Sequence, residues 1–163
     1  MIAIRKLGAS RWKDYRALRL ESLERSPLAF GSSFEEEIRL DQPEWKKRMK
    51  NVYFAMQGKD PVGMVTCSFN TDAKFRHIAE LYGFYVRAGY RGRGIGTALL
   101  GHALRLVEEN HLIIKVRLYV NGQQRAALKM YQKAGFAVVG TLGREMKVGD
   151  RFYTMLVMEK RIR

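Results

Sequence analysis

Cysteine, histidine and proline are scarce in this chain: one, three and three of them among 163 residues. The lone Cys67 excludes an internal disulfide and any paired-cysteine zinc site. His77, His102 and His111 have no metal-ligand spacing, so metal chemistry is not expected. Long apolar runs are missing as well. No stretch approaches the roughly 18 uncharged apolar residues of a membrane span, and "MIAIRKLGASRWKDYRALRL" carries charges where a signal peptide would have an apolar centre. These absences lead to the expectation of a soluble, cytoplasmic protein without a membrane partner.

Negative charge is also in short supply. Sixteen acidic residues face 30 lysines and arginines, giving a net charge of +14. The excess is +4, +3, +4 and +3 over residues 1–50, 51–100, 101–143 and 144–163. A basic arm or recognition helix would concentrate it, so nucleic acid is not the expected partner. A general field attracting small polyanions fits the even spread.

What the chain does contain is 47% hydrophobic residues and 11% aromatics, enough for one buried core. We read residues 1–163 as a single domain of mixed α/β class. "IAIRKL" reads as a first strand. Residues 10–25 read as a helix, with Ser10 as N-cap and Trp12, Tyr15, Leu18 and Leu23 at near-helical intervals. Ser33 and Glu36 form a capping-box signature for a second helix running to Lys50, interrupted at Pro43. The Glu35–Glu36–Glu37 run then complements the dipole at that helix start. "VYFAM" and "VGMVTCSF" read as a hairpin with a turn near 58–61, and "IAELYGFYV" as a third run of strand. Residues 97–110 place Leu100, Ala103, Leu104 and Val107 on one helical face. "LIIKVRLYV" follows as a strand, then a helix ended by Gly135, then the strands "FAVVGTL" and "RFYTMLVME". Strand, helix, strand in the centre requires a parallel pair, with antiparallel strands to either side.

The most informative stretch is "YRGRGIGTALL", residues 90–100. Alternating glycines between a strand and a helix start bring several backbone N–H groups to one place. Arg91 and Arg93 add fork-shaped donors suited to phosphate. That combination calls for an anion, and pyrophosphate is the natural candidate. Two familiar phosphate loops fail on spacing. A GxGxxG pattern needs glycine where Thr97 or Leu99 stands, and a Walker loop begun at Gly89 needs lysine at Ile95.

"RGRGIG" after "ELYGFYV" resembles the R/Q-x-x-G-x-G/A signature of the GNAT acyltransferases, with Arg91, Gly94 and Gly96 at its fixed positions. Further on, "QQRAALKMYQKAGF" is similar to the family's N-x-x-A-x-x-L-Y-x-K-x-G-F segment, with Ala127, Tyr131, Lys133, Gly135 and Phe136 in register. Gln124 stands where the family usually has asparagine, and Asn121 is a substitute close by.

The resemblance implies the GNAT fold, a central mixed twisted sheet with helices on both faces. It implies acetyl transfer from acetyl-CoA to a primary amine of a small molecule, protein or peptide, with no metal. The pyrophosphate would lie on Arg91, Gly92, Arg93, Gly94, Ile95, Gly96 and Thr97. The pantetheine arm would follow Phe84, Tyr85 and Val86 and reach Asn121 and Gln124. A backbone N–H along that strand would polarise the thioester carbonyl.

Tyr131 is the general acid the family pattern implies; its alternative is an aromatic packing a helix on the sheet. Glu80 lies eleven residues before Arg91, where the protein-acetylating branch carries its base, and shares a strand face with Tyr82, Phe84 and Val86. Its alternative is a salt-bridged strand carboxylate. Cys67 and the eight methionines read as core filling. A homodimer is compatible with this reading. The rival classes are a non-catalytic acyl-CoA-binding module, which would tolerate loss of Tyr131 and Glu80, and a basic nucleic-acid-binding protein, which would leave the loop unexplained.

Overall fold

A computed structural model describes residues 1–163. The strands are β1 (Ile2–Arg5), β2 (Val52–Gln57), β3 (Asp60–Phe69), β4 (Ile78–Val86), β5 (Lys115–Asn121), β6 (Ala137–Val148) and β7 (Arg151–Arg161). The helices are α1 (Trp12–Arg25), α2 (Phe34–Glu37), α3 (Gln42–Arg48), α4 (Ile95–Glu109) and α5 (Arg125–Lys133). The strands form one seven-stranded mixed sheet in the order β1-β2-β3-β4-β5-β7-β6. The mixed α/β architecture expected from the sequence is the one observed. The chain clusters into two compact units, Met1–Cys67 with Gly83–Ala103, and Ser68–Tyr82 with Leu104–Arg163.

In the first unit β1, β2 and β3 form an antiparallel meander whose β2–β3 turn sits at Gly58. Its core gathers Tyr15, Leu18 and Leu23 of α1 with Trp45, Phe54, Met56, Met64 and Tyr85. Tyr15 meets the rings of Trp45 and Phe54 edge-on, at 5.5 and 5.8 Å between centroids. Edge-to-face pairs of this kind add to area burial.

Three local expectations change here. Ser10 does not cap α1: it lies in a short 3-10 turn, Ala9–Arg11, and the N-cap residue is Arg11, which makes no side-chain cap. The helix foreseen up to Lys50 is two helices. Ser33 caps the first, its Oγ accepting from the Glu36 N–H at 3.3 Å, and Asp41 caps the second, accepting from the Glu44 N–H at 3.1 Å. Pro43 falls in the first turn of α3, where its missing N–H costs nothing. Glu37 does more than complement a helix dipole. It is buried and accepts from Arg19 at 2.9 and 3.0 Å and from Arg48 at 2.9 Å.

In the second unit β4 and β5 pair in parallel, as the central strand–helix–strand order requires. β5 pairs antiparallel with β7, and β7 with β6. Alternation along β5 buries Val116, Leu118 and Val120 and turns Lys115, Arg117 and Tyr119 the other way. Lys115 and Arg117 share the carboxylate of Glu159, at 2.9 and 2.7 Å.

Candidate active site

The glycine loop lies in the first unit. β4 leaves at Val86, a 3-10 turn spans Ala88–Tyr90, and α4 begins at Ile95. The first helical bond runs from the Ala98 N–H to the Gly94 carbonyl at 2.9 Å. The amides of Ile95, Gly96 and Thr97 therefore open the helix without intrahelical acceptors. Gly92 and Gly94 have φ of 73° and 77°, a region costly for any side chain. Nothing lies within 4 Å of where a Cβ would project from either. The loop is thus an open cradle of backbone donors backed by a helix N-terminus, and it fits a pyrophosphate.

Both arginines are exposed and rest on aromatic faces. The Arg91 guanidinium lies 5.7 Å from the Tyr85 ring centre, and that of Arg93 lies 5.4 Å from Tyr90. The Arg91 Nε also donates to the Val86 carbonyl at 2.8 Å, which ties the guanidinium to the end of β4. Phe84, Tyr85, Val86 and the 91–97 segment are thus brought together in this unit.

Sequence reasoning missed Gly83. It sits inside β4 with φ 62°, and a Cβ there would come within 3.1 Å of the Thr66 hydroxyl. A left-handed residue inside a strand is a local departure from extended backbone that glycine alone makes without strain, directly before Phe84–Val86. The signal was present as an isolated glycine in "ELYGFYV".

Glu80, Asn121, Gln124 and Tyr131 lie in the second unit. Glu80 is half-buried and stands in register opposite Arg117 on β5. The Arg117 pKa is pushed up, first by its hydrogen bond to Glu159, with Glu80 adding to the negative field. Glu80 therefore has a cation in register beside it.

Asn121 is buried, 1% exposed; its Oδ1 accepts from the Gln123 N–H at 2.9 Å, while Nδ2 has no hydrogen-bond partner. A buried amide donor left unmatched costs about 1–3 kcal/mol, so it is the kind of group a ligand completes. Gln124 occupies the N-cap position of α5, and its side chain makes no capping bond. Tyr131 is buried on α5 against Phe136, 5.9 Å between rings. Burial pushes its phenol up to about 12. Cys67 is buried too, its thiol pushed up to about 11, which makes it inert.

The model of the acetyltransferase (GNAT) family matches residues 12–136. An uncharacterized N-acetyltransferase of Methanocaldococcus jannaschii is 35% identical over 94 residues, 55% of this chain and 41% of the relative, so the alignment spans about two fifths of that protein. Among solved structures, a GNAT family acetyltransferase from Streptococcus pneumoniae superposes with a TM-score of 0.87 at 24% identity, covering 100% of both chains. A phosphinothricin acetyltransferase from Sinorhizobium meliloti, in complex with AcCoA, gives 0.84 at 17% identity over 98% of this chain and 88% of its own. At these identities the structures establish the fold, and the family model, matching well over half of the sequence, establishes membership. The chain belongs to the acetyltransferase (GNAT) family.

Proposed function

We propose that this protein transfers an acetyl group from acetyl-CoA to a primary amine carried by a small molecule, a protein or a peptide. The observation that carries the reading is the cradle of Gly92 and Gly94, open on its ligand side and set before the free amides of α4. Membership of the GNAT family and the AcCoA held by the S. meliloti neighbour support the choice of ligand. Acetyl-CoA supplies the activated acyl group as a thioester.

On this reading the backbone of 91–97 and the guanidiniums of Arg91 and Arg93 bind the pyrophosphate. Phe84, Tyr85 and Val86 lie along the pantetheine arm, and Asn121 Nδ2 and Gln124 donate to its amide groups. A backbone N–H of the Phe84–Val86 segment faces the thioester carbonyl. The acceptor arrives mostly as ammonium, with a pKa near 10, and Glu80 takes its proton directly or through water. Tyr131 donates a hydrogen bond to the departing sulfur. Burial pushes the Tyr131 phenol up, so it stays protonated and favours donating a hydrogen bond over giving up its proton. The spread-out +14 charge suits the polyanionic donor and disfavours strongly cationic acceptors such as polyamines.

A thiol-release assay with acetyl-CoA against a panel of amines, peptides and aminoglycosides tests the activity. The loop is tested by calorimetry. Arg93→Ala should weaken acetyl-CoA binding by about 1.5 to 3 kcal/mol and leave dephosphorylated pantetheine nearly unaffected. Equal losses for both ligands, or none, would remove the pyrophosphate from this loop.

A further inference from the structure

Glu21 of α1 lies far from the glycine loop in sequence, yet its carboxylate reaches the loop's root with both oxygens. Oε1 accepts from the Tyr85 hydroxyl at 3.0 Å, and Oε2 accepts from the Arg87 Nε at 2.9 Å. The Tyr85 ring is the surface on which Arg91 lies, and Phe30 tilts against that ring, 6.4 Å between centres. Arg87 opens the turn that leads into the loop: its N–H bonds the Val62 carbonyl at 2.9 Å, and its carbonyl accepts from the Tyr90 N–H at 2.9 Å. One carboxylate thus holds the platform under Arg91 and the first residue of the turn. Tyr85 stays a phenol and a donor, because burial and its bond to Glu21 push its pKa up.

We propose that Glu21 is a positioning residue for acetyl-CoA, acting through Tyr85 on Arg91 and through Arg87 on the entry to the loop. The inference rests on the reading of the loop as a pyrophosphate site. It has a specific competitor, because an anion beside an anion site acts in two opposite ways. If Glu21 orders the loop, its removal weakens binding. If it only offsets the charge of Arg87, its removal frees a cation and tightens binding, with a steeper dependence on salt.

Calorimetry with acetyl-CoA and with dephosphorylated pantetheine separates these outcomes. Glu21→Ala should raise the acetyl-CoA Kd by about 5- to 20-fold, the scale of one or two lost net hydrogen bonds. The pantetheine Kd should rise clearly less than the acetyl-CoA Kd, a split that a general loss of structure does not produce. Tyr85→Phe keeps the ring and cuts only the hydroxyl link, so it should show a smaller loss of acetyl-CoA affinity. Glu21→Gln keeps an acceptor for Tyr85 and should recover part of the affinity. Unchanged or tighter acetyl-CoA binding in Glu21→Ala, or an equal loss for pantetheine, overturns the proposal. If Glu21→Ala does not fold, Tyr85→Phe decides, and full affinity there overturns it. A wild-type protein that binds no acetyl-CoA removes the loop reading and this inference together. Binding that responds to Arg93→Ala but not to Glu21→Ala removes the inference alone.

Discussion

At the scale of single residues, Tyr131 is where packing and chemistry have to be separated. The ring is buried and the hydroxyl belongs to a phenol held near 12. It is therefore fully protonated at neutral pH, a steady donor but a reluctant acid. Tyr131→Phe keeps the ring and should lower kcat about 10- to 100-fold, towards the low end of general-acid effects, with thermal stability nearly unchanged. A large fall in Tm with kcat per folded molecule intact makes it a packing residue instead. Ionisation of Tyr131 should put no alkaline limb into the rate profile below about pH 10. Asn121 carries the clearest unfinished bond, a buried Nδ2 without an acceptor. Glu80, opposite Arg117, keeps both of its readings: a carboxylate next to a cation can be a structural partner or a base in a charged setting.

At the scale of elements, the connection from β4 through the loop to α4 carries the proposed acetyl-CoA site. Gly94→Ala puts a Cβ into open space, so no clash arises, but at φ 77° the left-handed backbone costs about 1–2 kcal/mol. Thermal denaturation should show that modest loss, and calorimetry should show a larger loss of acetyl-CoA affinity, because on the proposed reading the new methyl projects into the space the pyrophosphate fills. Undiminished affinity would separate the cradle from the ligand. This element was legible in the sequence because its glycines are dictated by local backbone geometry, which needs no tertiary context. The parallel β4–β5 pair was legible for a related reason, since a helical crossover returns a strand in the same direction. Less was legible where tertiary partners decide. The triad of buried Glu37 and Arg19 with exposed Arg48 joins three helices, and nothing near residue 37 announces residues 19 and 48. Glu21 was silent for the same reason: its partners stand more than sixty positions away.

At the scale of the whole molecule, each compact unit contains one carboxylate shared by two cations. Glu37 holds Arg19 and Arg48 in the first, and Glu159 holds Lys115 and Arg117 in the second. Burial raises the pKa of each glutamate, but the hydrogen bonds and charges of the paired cations outweigh it, and both end below the ordinary carboxylate range. A group with a depressed folded pKa contributes stability above its unfolded value, and that contribution is lost as pH falls through the folded value. Tm should therefore hold from neutral pH to about pH 4.3 and drop below it as these two sites protonate. Glu37→Gln should cost about 3 kcal/mol at neutral pH by leaving Arg19 buried beside an uncharged amide, and should flatten the acid decline. A wild-type Tm that is level down to pH 3 speaks against both pairs. The strand order ends at β6, which offers one free edge along 12 residues. Its register against β7 slips between Val138 and Gly140 and again between Leu142 and Met146, where Arg144 takes a left-handed φ of 56°. Regular pairing survives only in runs of two or three residues, whereas a fibril needs a flat template of about six. For a protein with Val138 and Val139 exposed on that rim, the kinked border is a safeguard against stacking edge to edge into insoluble ribbons.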